Sequence, residues 1–256
     1  MPLVSPYAYD RTGALLRNRY NWVGLLRAWW IVPHPLKFFA GLIRHRAPET
    51  LSVRTPTGTI TLVLRNFESL KTFFGIFCRE DYATDSGRAF FFFDIGANIG
   101  FASAYFLSRN RKNRVCCFEP DETNLSWLHR NLAAFADRAT IINQAVATES
   151  GETVLYRAAT GKHSALHPNE IATIPQKVVS SGFSDVLAAP APDALPTVVK
   201  LDVEGVEEEL IKSVRFENYP QLQRLLCEST VCSQLITRPH RRALRNGYIE
   251  DLRFVG

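Results

Sequence analysis

Five carboxylates and one ammonium in this chain fall where strands should end. Asp94, Glu119, Asp202, Glu204 and Glu228 are the carboxylates, and Lys200 is the ammonium. Acids gathered at the carboxyl edge of an open α/β sheet can hold a cationic or hydroxyl-rich ligand, and can take a proton from a reacting hydroxyl. Lys200, Asp202 and Glu204 alternate, so a regular strand would present them on one face, and Asp94 and Glu228 would complete a ring around them. Asp202 is the first choice for the group at the reacting centre, because a carboxylate that closes a buried strand is costly without a task. Glu204 and Glu228 come next, as general base or as orienters of an acceptor hydroxyl. Glu207 reads as a cap on the helix that follows, since acids favour a helix amino terminus. A divalent cation between Asp202 and Glu228 is a lesser alternative; no metal site is assigned, and His163 and His167 lack a third ligand.

The element that must position Asp94 reads clearly. Phe91-Phe92-Phe93-Asp94-Ile95 is an apolar run ending in an acid, and Gly96-Ala97-Asn98-Ile99-Gly100 then turns the chain into a helix. Gly96 and Gly100 suit a backbone that bends or comes close to a ligand, and the helix amino terminus offers N–H groups at the mouth of the turn. Dinucleotide enzymes use G-x-G-x-x-G here, and Asn98 stands where that pattern has the glycine that admits a pyrophosphate. A phosphate-free adenosine cofactor is favoured instead. S-adenosyl-L-methionine fits, because its sulfonium suits acids better than lysines, and Asp94 then has a reason to be acidic.

Further along, Arg114-Val115-Cys116-Cys117-Phe118-Glu119-Pro120 reads as a second strand, with Glu119 placed to take two hydrogen bonds from a ribose. A helix over 121–134 and a strand over 140–146 follow, so that Gln144 and Ala145 would border the adenine. Thr197 to Asp202 is a fourth strand, followed by a helix to about Ser213, and Leu225 to Glu228 is a fifth strand. Stretches 158–176 and 188–196 read as loops, the first long enough for a lid. Upstream, 50–64 reads as a hairpin around Thr57-Gly58, and 67–78 as a helix, together a cap on the cofactor fold. Tyr82 is a candidate for touching the cofactor or the acceptor, or equally a packing residue.

These motifs resemble the FkbM-type methyltransferases. The resemblance rests on Asp94-Ile95-Gly96-Ala97-Asn98-Ile99-Gly100, Phe118-Glu119-Pro120 and Lys200-Leu201-Asp202-Val203-Glu204-Gly205, in that order, and extends over roughly residues 50 to 250. It also takes in Asn143 to Val146 and Asn246-Gly247-Tyr248-Ile249. It implies a class I methyltransferase fold: α/β, Rossmann-like and doubly wound, with a mostly parallel seven-stranded sheet behind an amino-terminal helical and hairpin extension. It also implies methyl transfer from S-adenosyl-L-methionine to a hydroxyl of a sugar, glycan or secondary metabolite. Lys200, Asp202, Glu204 and Glu228 become the catalytic candidates, and Asp94, Gly96, Asn98, Gly100, Glu119, Pro120, Gln144 and Ala145 the cofactor-binding ones. Ser229-Thr230 departs from the family, which often has a histidine two residues after that glutamate.

Composition fits one elaborated α/β unit, residues 89–256, behind an arm and cap, residues 1–88. Of 256 residues 46% are apolar, which is ordinary for a soluble globule. Five cysteines with no Cys-x-x-Cys pair argue against a disulfide framework or structural zinc, and point to reduced thiols and a cytoplasmic address. The net charge is +5, yet residues 1–54 hold eight Lys and Arg against two acids, a surplus of six, which leaves −1 for the rest. The aromatic, proline-broken arm is too polar and too interrupted to span a bilayer, and it lacks the small-residue cleavage site and unbroken apolar core of a signal peptide. It reads as helices packed on the domain, or as a peripheral membrane contact over residues 11–46. Competing functions are a membrane-recruited scaffold that binds the cofactor without catalysis, and an NAD(P)-linked oxidoreductase, which Asn98 opposes. Nucleic acid ranks last, because the positive charge sits away from the motifs.

Overall fold

The structure is a computed structural model that describes residues 19–158, 164–166, 172–203, 205–245 and 248–255. The chain divides into two compact units, Met1–Thr84 and Asp85–Gly256. In the first, helix α1 (Arg19–Ile31) and helix α2 (Pro35–Ile43) are separated where the two prolines fall, and Pro35 opens α2. Proline is tolerated there because the first-turn N–H has no intrahelical partner. A hairpin follows, β1 (Thr50–Thr55) against β2 (Gly58–Val63), in register from Thr50 beside Val63 to Thr55 beside Gly58. Helix α3 (Phe67–Phe73) is capped by Asn66, whose side chain accepts from the Ser69 N–H, and runs into a π-helical turn over Phe74–Cys78.

The second unit is built on a seven-stranded sheet. Its strands are β3 (Phe91–Ile95), β4 (Arg114–Phe118), β5 (Ala139–Ile142), β10 (Thr197–Leu201), β11 (Leu222–Cys227), β12 (His240–Arg245) and β13 (Ile249–Phe254), in the order β12-β13-β11-β10-β3-β4-β5. Only β13 runs against the others. This order, with one reversed strand near the edge, is the class I methyltransferase fold. The run Phe91-Phe92-Phe93 is apolar throughout because β3 is central and both of its faces are covered. Phe91, Phe93 and Ile95 join Val199, Leu201 and Leu225 in the core on one side. Phe92 stacks on Phe106 of helix α4 (Phe101–Leu107), ring centroids 4.3 Å apart, on the other. Alternation therefore puts Asp94 on the α4 face, and the register sets it beside Lys200.

Gly100 caps α4 in the left-handed region at φ +85°. A Cβ there would lie 2.6 Å from a Leu128 methyl on helix α5 (Glu122–Leu132). Gly100→Ala is expected to cost about 1–2 kcal/mol, read as a lower denaturant midpoint at unchanged slope. An unchanged midpoint would show that the turn accepts a side chain.

Two readings need correction. The expected strand over 140–146 is two: β5 stops at Ile142, and Ala145–Ala147 forms β6 in a separate four-stranded sheet. The other members of that sheet are β7 (Gly151–Ala158), β8 (Ser164–Ala165) and β9 (Ala172–Gly182), so part of the expected loop 158–176 is strand. Pro175 disguised it. Pro175 stands opposite Tyr156 of β7, and β6 joins β9 only at Ser180, so among the described residues this part of β9 is a sheet edge, where a proline is tolerated. Residues 159–163 and 167–171, which include His163 and His167, lie outside the described residues.

Candidate functional site

Lys200 is the centre of the constellation. Its ammonium is buried, donates to Asp94 Oδ1 at 2.9 Å and to the Gly96 carbonyl at 2.8 Å, and stands 3.4 Å from Asp202 Oδ2. Burial alone would lower its pKa, but Asp94, then Asp202 and Glu228, hold the ammonium above its ordinary value. Asp94 is fully buried, and its second oxygen accepts from Ser103 Oγ at 2.6 Å. An open charge facing a ligand was expected of Asp94; the structure turns it inward, where it is neutralised from within the sheet.

The glycine turn is locked onto the end of β10. Gly96 has φ +78°, and a Cβ there would fall 1.9 Å from the Asp202 carbonyl oxygen. The Asp202 N–H in turn donates to the Ile95 carbonyl. The N–H groups of Gly96 and Ala97 both donate to the Phe118 carbonyl, that of Gly100 to the Ala97 carbonyl, and that of Asn98 to Glu119 Oε2 at 2.7 Å. Asn98, exposed at φ +51°, adopts the left-handed conformation that asparagine tolerates better than most side chains. These turn donors thus have acceptors within the protein, where the sequence suggested a row of open ones.

Glu119 closes β4 and ties three segments together. Besides Asn98, it accepts from the Asp121 N–H at 2.9 Å and from Asn124 Nδ2 at 3.3 Å. Burial pushes its carboxyl up to about 7, against the pull of those hydrogen bonds. Pro120, half-buried, follows and leads into Asp121, which caps α5 through the Thr123 N–H at 2.8 Å. Gln144 accepts from Ser181 Oγ of β9, and Ala145 is buried in β6 opposite Ser180. Both therefore sit at the junction between the two sheets of this unit.

At the carboxyl edge, Asp202 is partly exposed just beyond β10, and Glu228, half-buried, donates its N–H to the Leu201 carbonyl. Glu204 lies outside the described residues. Glu207 accepts from the Val203 and Gly205 N–H groups at 3.0 and 2.9 Å, and so closes the loop ahead of helix α6 (Glu207–Lys212), while burial raises its pKa. Among the described residues no group of three His, Cys, Asp or Glu side chains is placed to hold a metal ion.

Two positioning residues escaped the sequence reading. Ser103 sits nine residues after Asp94 in the first turn of α4, a spacing that could have suggested a partner for that acid. Arg157 of β7 donates to Asp121 Oδ2 at 2.9 Å and to Thr123 Oγ1 at 2.6 Å, clamping the start of α5. No local pattern announces Arg157, because its target lies 36 residues away.

The family model described as the methyltransferase FkbM domain matches residues 94–229. Among solved structures, the chain is similar to a methyltransferase FkbM from Methylobacillus flagellatus KT, at 14% identity and a TM-score of 0.43, covering 86% of this chain and 58% of that one. This chain thus spans little more than half the length of that protein. A methyltransferase from Geobacter sulfurreducens is 11% identical at a TM-score of 0.39, covering 64% and 71% of the two chains. An RNA methyltransferase from Salinibacter ruber, solved with S-adenosyl-L-homocysteine, is 11% identical at a TM-score of 0.36, covering 66% and 81%. No curated protein matches the chain.

Proposed function

We propose, because this chain belongs to the FkbM methyltransferase family, that it transfers a methyl group from S-adenosyl-L-methionine to a hydroxyl of a sugar, a glycan or another small metabolite. The turn at 96–100 is the observation that supports this cofactor. Four of its N–H groups are engaged by the protein's own oxygens, which leaves little for a pyrophosphate to bind, while the partly exposed side chains at the same edge, Asp202 and Glu228, are carboxylates. Such a donor set fits a ligand that brings positive charge and no phosphate. When bound, S-adenosyl-L-methionine supplies an electrophilic methyl on a cationic sulfur.

The chain's own residues then have separable roles. Glu119 receives ribose hydroxyls, and Gln144 and Ala145 flank the base. Gly96, Asn98 and Gly100 shape the turn, which Lys200 anchors through the Gly96 carbonyl. Asp202 accepts the acceptor hydroxyl's proton, and Glu228 orients that hydroxyl. Lys200 stays charged at neutral pH, so it holds Asp94 and Asp202 in place and is not itself the base. Methyl transfer asks mainly for alignment of nucleophile and methyl, which a rigid sheet edge provides.

Calorimetry of the full chain is the test. Binding of S-adenosyl-L-methionine and S-adenosyl-L-homocysteine with Kd in the micromolar range, and none of NAD, is expected. Tight NAD binding without either adenosyl ligand would instead establish the oxidoreductase reading, for which nothing in the turn speaks.

A further inference from the structure

Helix α1 wears its largest apolar side chains on the outside. Its inner side is Asn21, Gly24 and Ala28, all buried, whereas Trp22, Trp29 and Trp30 are 53%, 49% and 73% exposed, and Leu26 between them is 69% exposed. Positions 22, 26, 29 and 30 recur at helical spacing, so they form one stripe. At about 250 Å² per indole, the three tryptophans alone offer on the order of 400 Å² to solvent, as much as the largest apolar patch of a typical monomer.

The second helix continues this pattern. Trp29 stacks on Phe39 of α2 with centroids 6.2 Å apart, and Leu36 and Ile43, seven residues apart on α2, are both exposed. Lys37 and Arg44, exposed and again seven apart, stand one residue further round the same helix. An apolar stripe thus runs beside a cationic one. Arg27 is ion-paired with Glu80 at 3.0 Å, whereas Lys37, Arg44 and Arg46 are all exposed, and residues 19–48 contain no acid.

We propose that α1 and α2 form a surface that docks on an anionic lipid bilayer. Tryptophans with an apolar body and a polar N–H settle at the headgroup level, and cations beside them meet the phosphates. A second copy of this chain is a poorer occupant, because a two-fold contact would bring the same cations face to face. No helix among the described residues is long and apolar enough to cross a membrane, so the helices lie on the surface and do not span it. The proposal does not depend on the cofactor assignment.

Co-sedimentation of the full chain tests it, using vesicles of phosphatidylcholine alone or with one third phosphatidylglycerol. Binding to the anionic vesicles with a blue shift of tryptophan emission is expected, along with weak binding to neutral vesicles and release by high salt. Leu26→Glu with Trp30→Ser should lower partitioning on the order of tenfold, as should Lys37→Ala with Arg44→Ala. These exposed positions should leave the melting temperature unchanged, which separates lost docking from lost folding. Equal partitioning of parent and variants, or no binding at all, would overturn the proposal. So would a concentration-dependent dimer that Leu26→Glu dissolves while lipid has no effect.

Discussion

Lys200→Met is expected to lower the stability of the chain by about 3–5 kcal/mol, because methionine fills the space of the lysine stem but leaves Asp94 buried without its counter-charge. For a unit of this size that corresponds to a fall in melting temperature on the order of 10 °C. Ser103 still donates to Asp94, but one neutral hydroxyl does not replace an ammonium. Lys200→Met combined with Asp94→Leu should restore most of the loss, since a buried ion pair and an apolar pair of similar volume are often equivalent. The double variant still lacks the donor to the Gly96 carbonyl, so its affinity for S-adenosyl-L-methionine should stay low while its denaturant midpoint recovers. A single variant that loses less than about 1 kcal/mol would show that the pair does not hold this edge together.

The same contacts explain why the sequence motifs were informative as a set. The aspartate-glycine turn and the lysine-aspartate strand end are far apart in the chain but mutually dependent in space. Lys200 needs Asp94 as its partner in register, and Gly96 must lack a side chain because the Asp202 carbonyl occupies that space. Glu119 is tied to the turn through the Asn98 N–H in the same way. Local pattern therefore disclosed β3, β4, β10 and the helices after them, which are buried runs bounded by glycine or a capping acid. It did not disclose direction: Asp94 points into the α4 face because of strand alternation, which a motif read as a string does not convey. Nor did it disclose β7 to β9, whose pairing joins residues up to 29 positions apart, as in Gly151 with Ser180, and whose proline reads as a breaker. Arg157 was hidden for the same reason, since its worth lies wholly in a contact made across the fold.

Glu119 should make cofactor binding depend on pH through the neutral range. Burial raises its carboxyl to about 7 in the folded chain, whereas an unfolded glutamate titrates near 4.5. A group whose pKa is raised by folding contributes stability below its unfolded value and loses it as pH climbs through the folded one. Without cofactor, Glu119 therefore costs roughly 3 kcal/mol more above pH 7 than below pH 4.5. Binding runs the other way. Two ribose hydroxyls donate best to a carboxylate, so affinity for S-adenosyl-L-methionine should climb about tenfold from pH 6 to its plateau above pH 8. Glu119→Gln is neutral throughout and should flatten both profiles, with affinity at pH 8 lower by about thirtyfold or more, the difference between charged and neutral hydrogen bonds to two hydroxyls. Calorimetric titration of parent and variant between pH 5.5 and 8.5 reads both quantities. A parent affinity that does not change over that range, or a variant that keeps the parent's slope, would take the ribose away from Glu119 and leave that residue as a tie between the glycine turn and α5.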